Sequence, residues 1–281
     1  MSEKHLCPLD GETAAAGSGV FDARSWSADQ EAASRILHQE SWRYVAPIYW
    51  RTDPYDANSI PNNGTCFFVD TGDATFGVTA HHVIEAFHRA RQVNPAAEIC
   101  IRNTVLADWD DRVIGSDMGL DVVTFRVSTP ELEEIGSRPL QTPRGKWPPP
   151  SGEEGRGVFF TGYAGVDRSV LDRRSIEFEC TSNGVILTKN GPEELEIQIR
   201  RENLRPLGRP EVPTIMKDLG GFSGGPVMIV SALPNQLFWL GGVMLKQFAA
   251  KDDDDVVTFI ARSPKCIRSN GSLITSKYVE S

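Results

Sequence analysis

Between residues 44 and 261, apolar positions come in short runs or alternate with polar ones, and Gly, Pro, Asn or Asp breaks up the series. The runs lie at 44–50, 66–69, 75–79, 98–102, 122–127, 158–162, 176–180, 184–187, 195–199, 226–230, 238–245 and 256–261. Short runs of this kind, bounded by turn formers, predict β-strands. About a dozen of them predict an all-β barrel or sandwich. Two stretches break the pattern with helix formers: residues 29–38, ahead of the strands, and residues 83–91, directly after the strand at 75–79. Residues 141–157 (QTPRGKWPPPSGEEGRG) are dense in Pro and Gly and predict a linker between two β-rich halves of similar size. The expected organisation is a loose extension over 1–40 containing one short helix, a first β unit over 41–145 and a second over 146–281.

Composition narrows the function classes. The 281 residues are 40% apolar and 24% charged, which suits an ordinary globular protein of one large domain or two small ones. The net charge of −9 argues against a general binder of nucleic acid or of anionic membranes, since counterion release needs clustered Lys and Arg. No apolar stretch approaches the roughly 18 residues of a membrane span. The first residues carry no apolar run of the roughly 7–15 residues that a secretory leader needs. The five cysteines (Cys7, Cys66, Cys100, Cys180 and Cys266) are odd in number, widely spaced and without a CxxC pair. They predict neither a disulfide framework nor a zinc site, and the expectation is a cytoplasmic protein with free thiols. The Asp252–Asp255 run is expected in a solvated hairpin loop, because a calcium loop spaces its ligands further apart.

The chemistry-bearing phrase is Gly221-Phe-Ser-Gly-Gly-Pro226. Small residues around a serine allow a sharp turn, expose Ser223 and bring the N–H groups of Gly221 and Ser223 close to a developing oxyanion. The same residues would also suit a plain glycine turn. They fit G-x-S-x-G as well, but that hydrolase elbow needs a histidine after the serine, and His5, His38, His81, His82 and His88 all precede it. The order left open is His, Asp, Ser. The base candidates are His81 and His82, at a strand-to-helix junction. The acid candidate is Asp121, at the opening of an apolar strand, where an imidazole N–H would satisfy a partly buried carboxylate. Asp117 is the alternative.

Together these phrases resemble the trypsin-like (chymotrypsin-fold) serine peptidases, particularly the bacterial branch without disulfides. Thr79-Ala-His-His-Val83 is similar to the family's Thr-x-x-His phrase, which aligns His82, not His81, with the base. Asp121-Val-Val-Thr-Phe and Gly221-Phe-Ser-Gly-Gly-Pro resemble the acid and nucleophile phrases. Gly64–Val69, Val158–Tyr163 and Leu240–Leu245 resemble the strand before the histidine strand, the first strand of the second barrel and the strand that pairs with substrate. All six occur in the right order, with 39 residues between His82 and Asp121 and 102 between Asp121 and Ser223.

The resemblance implies two antiparallel six-stranded Greek-key barrels with the site in the cleft between them. It implies a serine endopeptidase acting through an acyl-enzyme on a peptide or protein substrate, with no metal or organic cofactor. His82, Asp121 and Ser223 would be catalytic, and Gly221 and Ser223 would form the oxyanion hole. Lys217, Gly242, Val243, Met244 and Leu245 would bind substrate, Lys217 at the floor of the specificity pocket with Asp218 beside it. A silent peptide-binding relative and an esterase or acyltransferase on the same fold stay open. Phe222 stands where secreted members carry the aspartate that receives a freshly cut N-terminus, so activation by such a cleavage is not expected. Control, if any, falls to a regulatory protein partner or to the N-terminal segment.

Overall fold

The computed structural model describes residues 28–51, 53, 61–142, 146–165, 168–170, 176–200, 220–231, 237–250 and 253–275. Helix α1 (Ala28–Ser41) leads through one 3-10 turn into β1 (Val45–Trp50), followed by β2 (Asn62–Asp70) and β3 (Thr75–Thr79). Helix α2 (His81–Val93) comes next, then the hairpin β4 (Cys100–Ile101) and β5 (Thr104–Val105), and the short helix α3 (Trp109–Arg112). β6 (Val113–Asp117), β7 (Val122–Arg126), α4 (Thr129–Ile135) and β8 (Leu140–Gln141) complete the first half. The second half holds β9 (Gly157–Gly162), β10 (Arg168–Val170), β11 (Ile176–Phe178), β12 (Thr181–Asn190), β13 (Glu194–Arg200), β14 (Pro226–Val230), β15 (Phe238–Ala250) and β16 (Asp253–Arg262).

The protein is mostly β. In the first half the strand order is β5-β4-β1-β2-β3-β7-β6, with β8 pairing in parallel with β2. In the second half β12-β13-β16-β15-β14-β9 close into a six-stranded barrel, and β10 and β11 form a separate ribbon. All six residues of β1 are buried, so its run of apolar side chains serves both faces of the sheet. The barrel interior is filled by Phe160, Leu187, Ile197, Val227 and Phe259, among others, from five of its six strands.

Each of the twelve apolar runs lies on or overlaps a strand, but several boundaries differ. The strand expected at 98–102 shortens to β4, because Arg102 turns the chain with a φ of +54°. The run at 176–180 divides between β11 and β12, and the run at 238–245 extends to Ala250. Residues 141–157 are no free linker over their described part. The indole N–H of Trp147 donates to Ile267 O at 2.6 Å, and that of Trp239 donates to Pro150 O at 3.1 Å. The Asp run does not lie in the hairpin loop over its described part: Asp253, Asp254 and Asp255 open β16, where Asp253 pairs with Ala250, and Asp252 lies outside the described residues. Among the described residues no helix is long and apolar enough to cross a membrane.

Helix α4 is set by local sequence. Ser128 caps its N-terminus, Glu131 reaches back to the Ser128 N–H at 2.8 Å, and Gly136 ends it in the left-handed conformation. Desolvation alone would raise the Glu131 pKa. The Arg112 guanidinium, at 2.7 Å, and the Ser128 bonds overcome it and hold the carboxyl at about 2. A depressed carboxyl pKa contributes stability that is complete above the ordinary value of 4.5 and is lost as pH falls toward 2. Glu131→Ala is therefore expected to cost about 1 kcal/mol at pH 7 and much less near pH 2. Chemical denaturation at the two pH values checks this, and an equal cost at both would refute it.

Candidate active site

The histidine pair stands where β3 hands over to α2. Ala80 is extended and fully buried, and Val83 and Ile84 point into the core, which leaves His81 and His82 at the surface. Gly64 of β2 makes room for this: a Cβ there would lie 2.6 Å from Cγ1 of Val83. The helix starts two residues before the expected run, so both histidines sit in its first turn.

Asp121 precedes β7 in the left-handed conformation, with a φ of +56°, which aspartate tolerates better than most residues. That backbone brings three groups onto the start of α2. The Asp121 carbonyl accepts from His81 N–H at 3.2 Å, and Oδ1 accepts from His82 N–H at 2.9 Å. The carboxylate also meets His82 Nδ1 at 2.8 and 3.1 Å. Ala80 supplies no side-chain cap, so Asp121 satisfies an orphan N–H of the helix as it holds the imidazole. A carboxylate only accepts, so Nδ1 carries a hydrogen, and in the neutral imidazole that tautomer leaves the lone pair on Nε2. His81 brings its backbone to Asp121, while the imidazole bond belongs to His82. Asp117 is otherwise engaged: it ends β6, and its Oδ1 accepts from Leu120 N–H at 2.8 Å.

Ser223 lies in the loop that enters β14, and the loop is anchored on three sides. Phe222 is 2% exposed and packs against Phe160 inside the barrel, a contribution of about 1.5–3 kcal/mol. Gly224 N–H donates to Met244 O at 2.8 Å, and Met244 N–H donates back to Gly225 O at 2.7 Å. The third anchor crosses from the first half. Thr65 of β2 donates its N–H to Ser223 O at 3.0 Å and its hydroxyl to Gly221 O at 2.6 Å. The same hydroxyl accepts from Tyr163 N–H at 3.0 Å, and Thr65 O accepts from the Thr79 hydroxyl at 2.8 Å.

Gly221 has a φ of +103°, and a Cβ there would run into Tyr163 O and lie 2.6 Å from Asn63 Nδ2. Gly224 has a φ of +84° and is crowded by Thr65 O and the Thr79 hydroxyl. The glycines are thus required by backbone shape and by close approach. Among the described residues the N–H groups of Gly221 and Ser223 donate to no protein acceptor. The Ser223 hydroxyl donates to Leu245 O at 3.2 Å and makes no described bond to His82.

The other expected site residues fall as follows. Lys217 and Asp218 lie outside the described residues. Gly242, Val243 and Met244 are enclosed within the barrel wall. Val243 pairs with Pro226 on one side and Arg262 on the other, so the β14-side edge of β15 is clear only from Leu245 onward. A peptide could add a strand there but not along Gly242–Met244.

Sequence reasoning misses several positioning groups. Arg262 of β16 donates through Nε to Leu120 O at 3.1 Å and pairs with Glu194 at 3.1 Å, so the second half fixes the turn that presents Asp121. Asn63 donates to Tyr163 O at 2.9 Å and accepts from Arg168 at 2.8 Å. An asparagine and two arginines in strands carry no local mark of these roles.

Cys66, Cys100, Cys180 and Cys266 are free thiols, and Cys7 lies outside the described residues. Burial raises all four pKa values, Cys100 and Cys266 to about 11, Cys180 to about 12 and Cys66 further still. These four thiols should resist alkylation at pH 8 in the native protein, since the thiolate is the reacting form. Intact mass after alkylation without reductant should show five modifications once the chain is unfolded. A protected pair would contradict this. Among the described residues no group of three or more His, Cys, Asp or Glu side chains could hold a metal ion.

No protein-family model matches the chain, and no curated protein matches it in sequence. Solved structures with some likeness include a Sesbania mosaic virus chain from work on the coupled folding and binding of that virus's disordered VPg protein. It has a TM-score of 0.40 and 13% identity, over 77% of this chain and 85% of that one. Another is the serine protease domain of the Sesbania mosaic virus polyprotein, with a TM-score of 0.38 and 12% identity, over 77% of this chain and 87% of that one. Likeness at this level does not assign the chain to a family.

Proposed function

We propose that the protein is a serine endopeptidase that hydrolyses peptide bonds through an acyl-enzyme, in a cleft between two β units of the trypsin-like kind. The observation that carries this reading is the Asp121–His82 pair. The carboxylate holds Nδ1 at 2.8 Å, and so leaves Nε2 as a base. Ser223 attacks the scissile carbonyl, and His82 takes its proton and returns it to the leaving amine. Asp121 fixes the tautomer and stabilises the imidazolium. The amides of Gly221 and Ser223 receive the oxyanion. No metal or organic cofactor enters these steps.

The bond from Ser223 to Leu245 O is the observation that favours a silent peptide binder. On the peptidase reading that bond breaks when substrate enters, and the hydroxyl turns to Nε2. A fluorophosphonate probe separates the two, because only an activated Ser223 is phosphonylated. Digestion of a peptide library then separates a peptidase from an esterase or acyltransferase. Absence of labelling on the folded chain would refute the peptidase.

A further inference from the structure

A cavity of about 660 Å³ lies between α1, the β4–β5 turn and the β11–β12 segment, and none of its lining residues is His82, Asp121 or Ser223. Its volume falls in the usual range of small-molecule sites, about 300–1,000 Å³. Tyr163, Phe178 and Trp42 give it aromatic walls, with Phe178 meeting Tyr163 edge-on.

Two polar groups on the wall are left short of partners. His38 is 9% exposed, and its Nδ1 is buried without a hydrogen bond. Burial holds this imidazole neutral, with its pKa lowered to about 3. Arg102 bonds only to neutral oxygens: Val45 O at 2.8 Å, the Ser137 hydroxyl at 3.5 Å and the Tyr163 hydroxyl at 3.4 Å. Its Nε is buried with no partner, and no described carboxylate pairs with it. Arg102 is partly buried, and a guanidinium partly withdrawn from water with no described counter-charge is a ready partner for an anion.

Arg102 is also at a φ of +54° in a two-residue hairpin turn, where glycine or asparagine would be less strained. Strain of this kind persists where a side chain is needed at that spot. Of the acidic residues on the wall, Glu177 is exposed at the rim and Glu179 already has a partner.

We infer that this cavity is a second binding site, which takes a small carboxylic acid with an aromatic or branched apolar body. The carboxylate pairs with Arg102 and accepts from the His38 N–H, and the body lies among Tyr163, Phe178 and Trp42. The inference does not rest on the peptidase reading, and its test does not use activity.

Benzoate, indole-3-acetate and 4-methylpentanoate, each with its neutral amide as control, are titrated into the full chain and followed by ligand-observed NMR. At least one acid is expected to bind saturably, and its amide at least roughly tenfold more weakly, since a charge-assisted contact is lost. Arg102→Asn suits the left-handed backbone and so keeps the fold, and it is expected to weaken the acid roughly tenfold or more. His38→Phe keeps a ring there without a donor and is expected to weaken it in the same direction. Either folded variant suffices for the comparison. The inference is overturned if no acid binds the wild-type chain, if acid and amide bind equally, or if a folded variant binds the acid as the wild type does.

Discussion

Ser223→Ala is expected to abolish hydrolysis and probe labelling while the far-ultraviolet spectrum and the melting temperature stay near those of the wild type. Nucleophile and base act as one unit, so the loss is on the order of 10⁴–10⁶ in rate, and His82→Ala should match it. The fold is expected to survive because neither side chain belongs to the packed core. His82 is exposed, and the Ser223 hydroxyl makes one described bond, to Leu245 O. His81→Ala is the control. Its side chain makes no described bond to Asp121, and its backbone bond to Asp121 O at 3.2 Å survives truncation. An inactive His81→Ala beside an active His82→Ala would move the base to His81 and refute its assignment to His82.

Gly221→Ala is expected to have the next largest effect, without touching any group that exchanges protons. The added methyl meets Tyr163 O and Asn63 Nδ2, and at a φ of +103° the alanine backbone is itself strained. The chain can relieve both only by rotating the peptide units on either side of Gly221, which swings the N–H of Gly221 or Ser223 away. Loss of one oxyanion donor costs roughly 10²–10³ in turnover. Phe222 stays seated in the barrel core, so the damage should remain local. Comparing turnover on an ester substrate with the thermal midpoint checks this. Wild-type turnover in a folded Gly221→Ala protein would remove Gly221 from the proposed mechanism.

How much of this can be read from sequence depends on range. Strands such as β1 and β7 are legible because periodicity and turn formers act over a few neighbours; helix α4 is missed, although Ser128 and Glu131, three apart, form a local capping signal for it. The phrases around His82, Asp121 and Ser223 stand out because each packs unusual residue types into a few positions. The backbone turns at Arg102 and Asp121 are opaque, because a positive φ at a residue other than glycine is dictated by distant contacts. Thr65 is opaque for the same reason. Nothing near it in the chain shows that its N–H and hydroxyl will meet residues more than 150 positions away. The enclosure of Val243 follows from β14 and β16, the strands just before and after β15, pairing on its two sides, and the apolar pattern of β15 alone does not show where those pairings begin and end.

Thr65 also bears on how such a chain can be shuffled. It donates to the serine loop through two groups, accepts from Tyr163 of the second half and, through its carbonyl, receives the Thr79 hydroxyl just ahead of the histidines. The six-stranded barrel transplanted alone into a new host would carry Ser223 but lose the partner of Ser223 O and Gly221 O. A recombination breakpoint between the halves, near residues 141–157, would separate Ser223 from the residue that shapes its loop. The two halves are therefore one cassette, heritable together or not at all, and chimaeras that exchange one half need a threonine at the position of Thr65 in the incoming sheet.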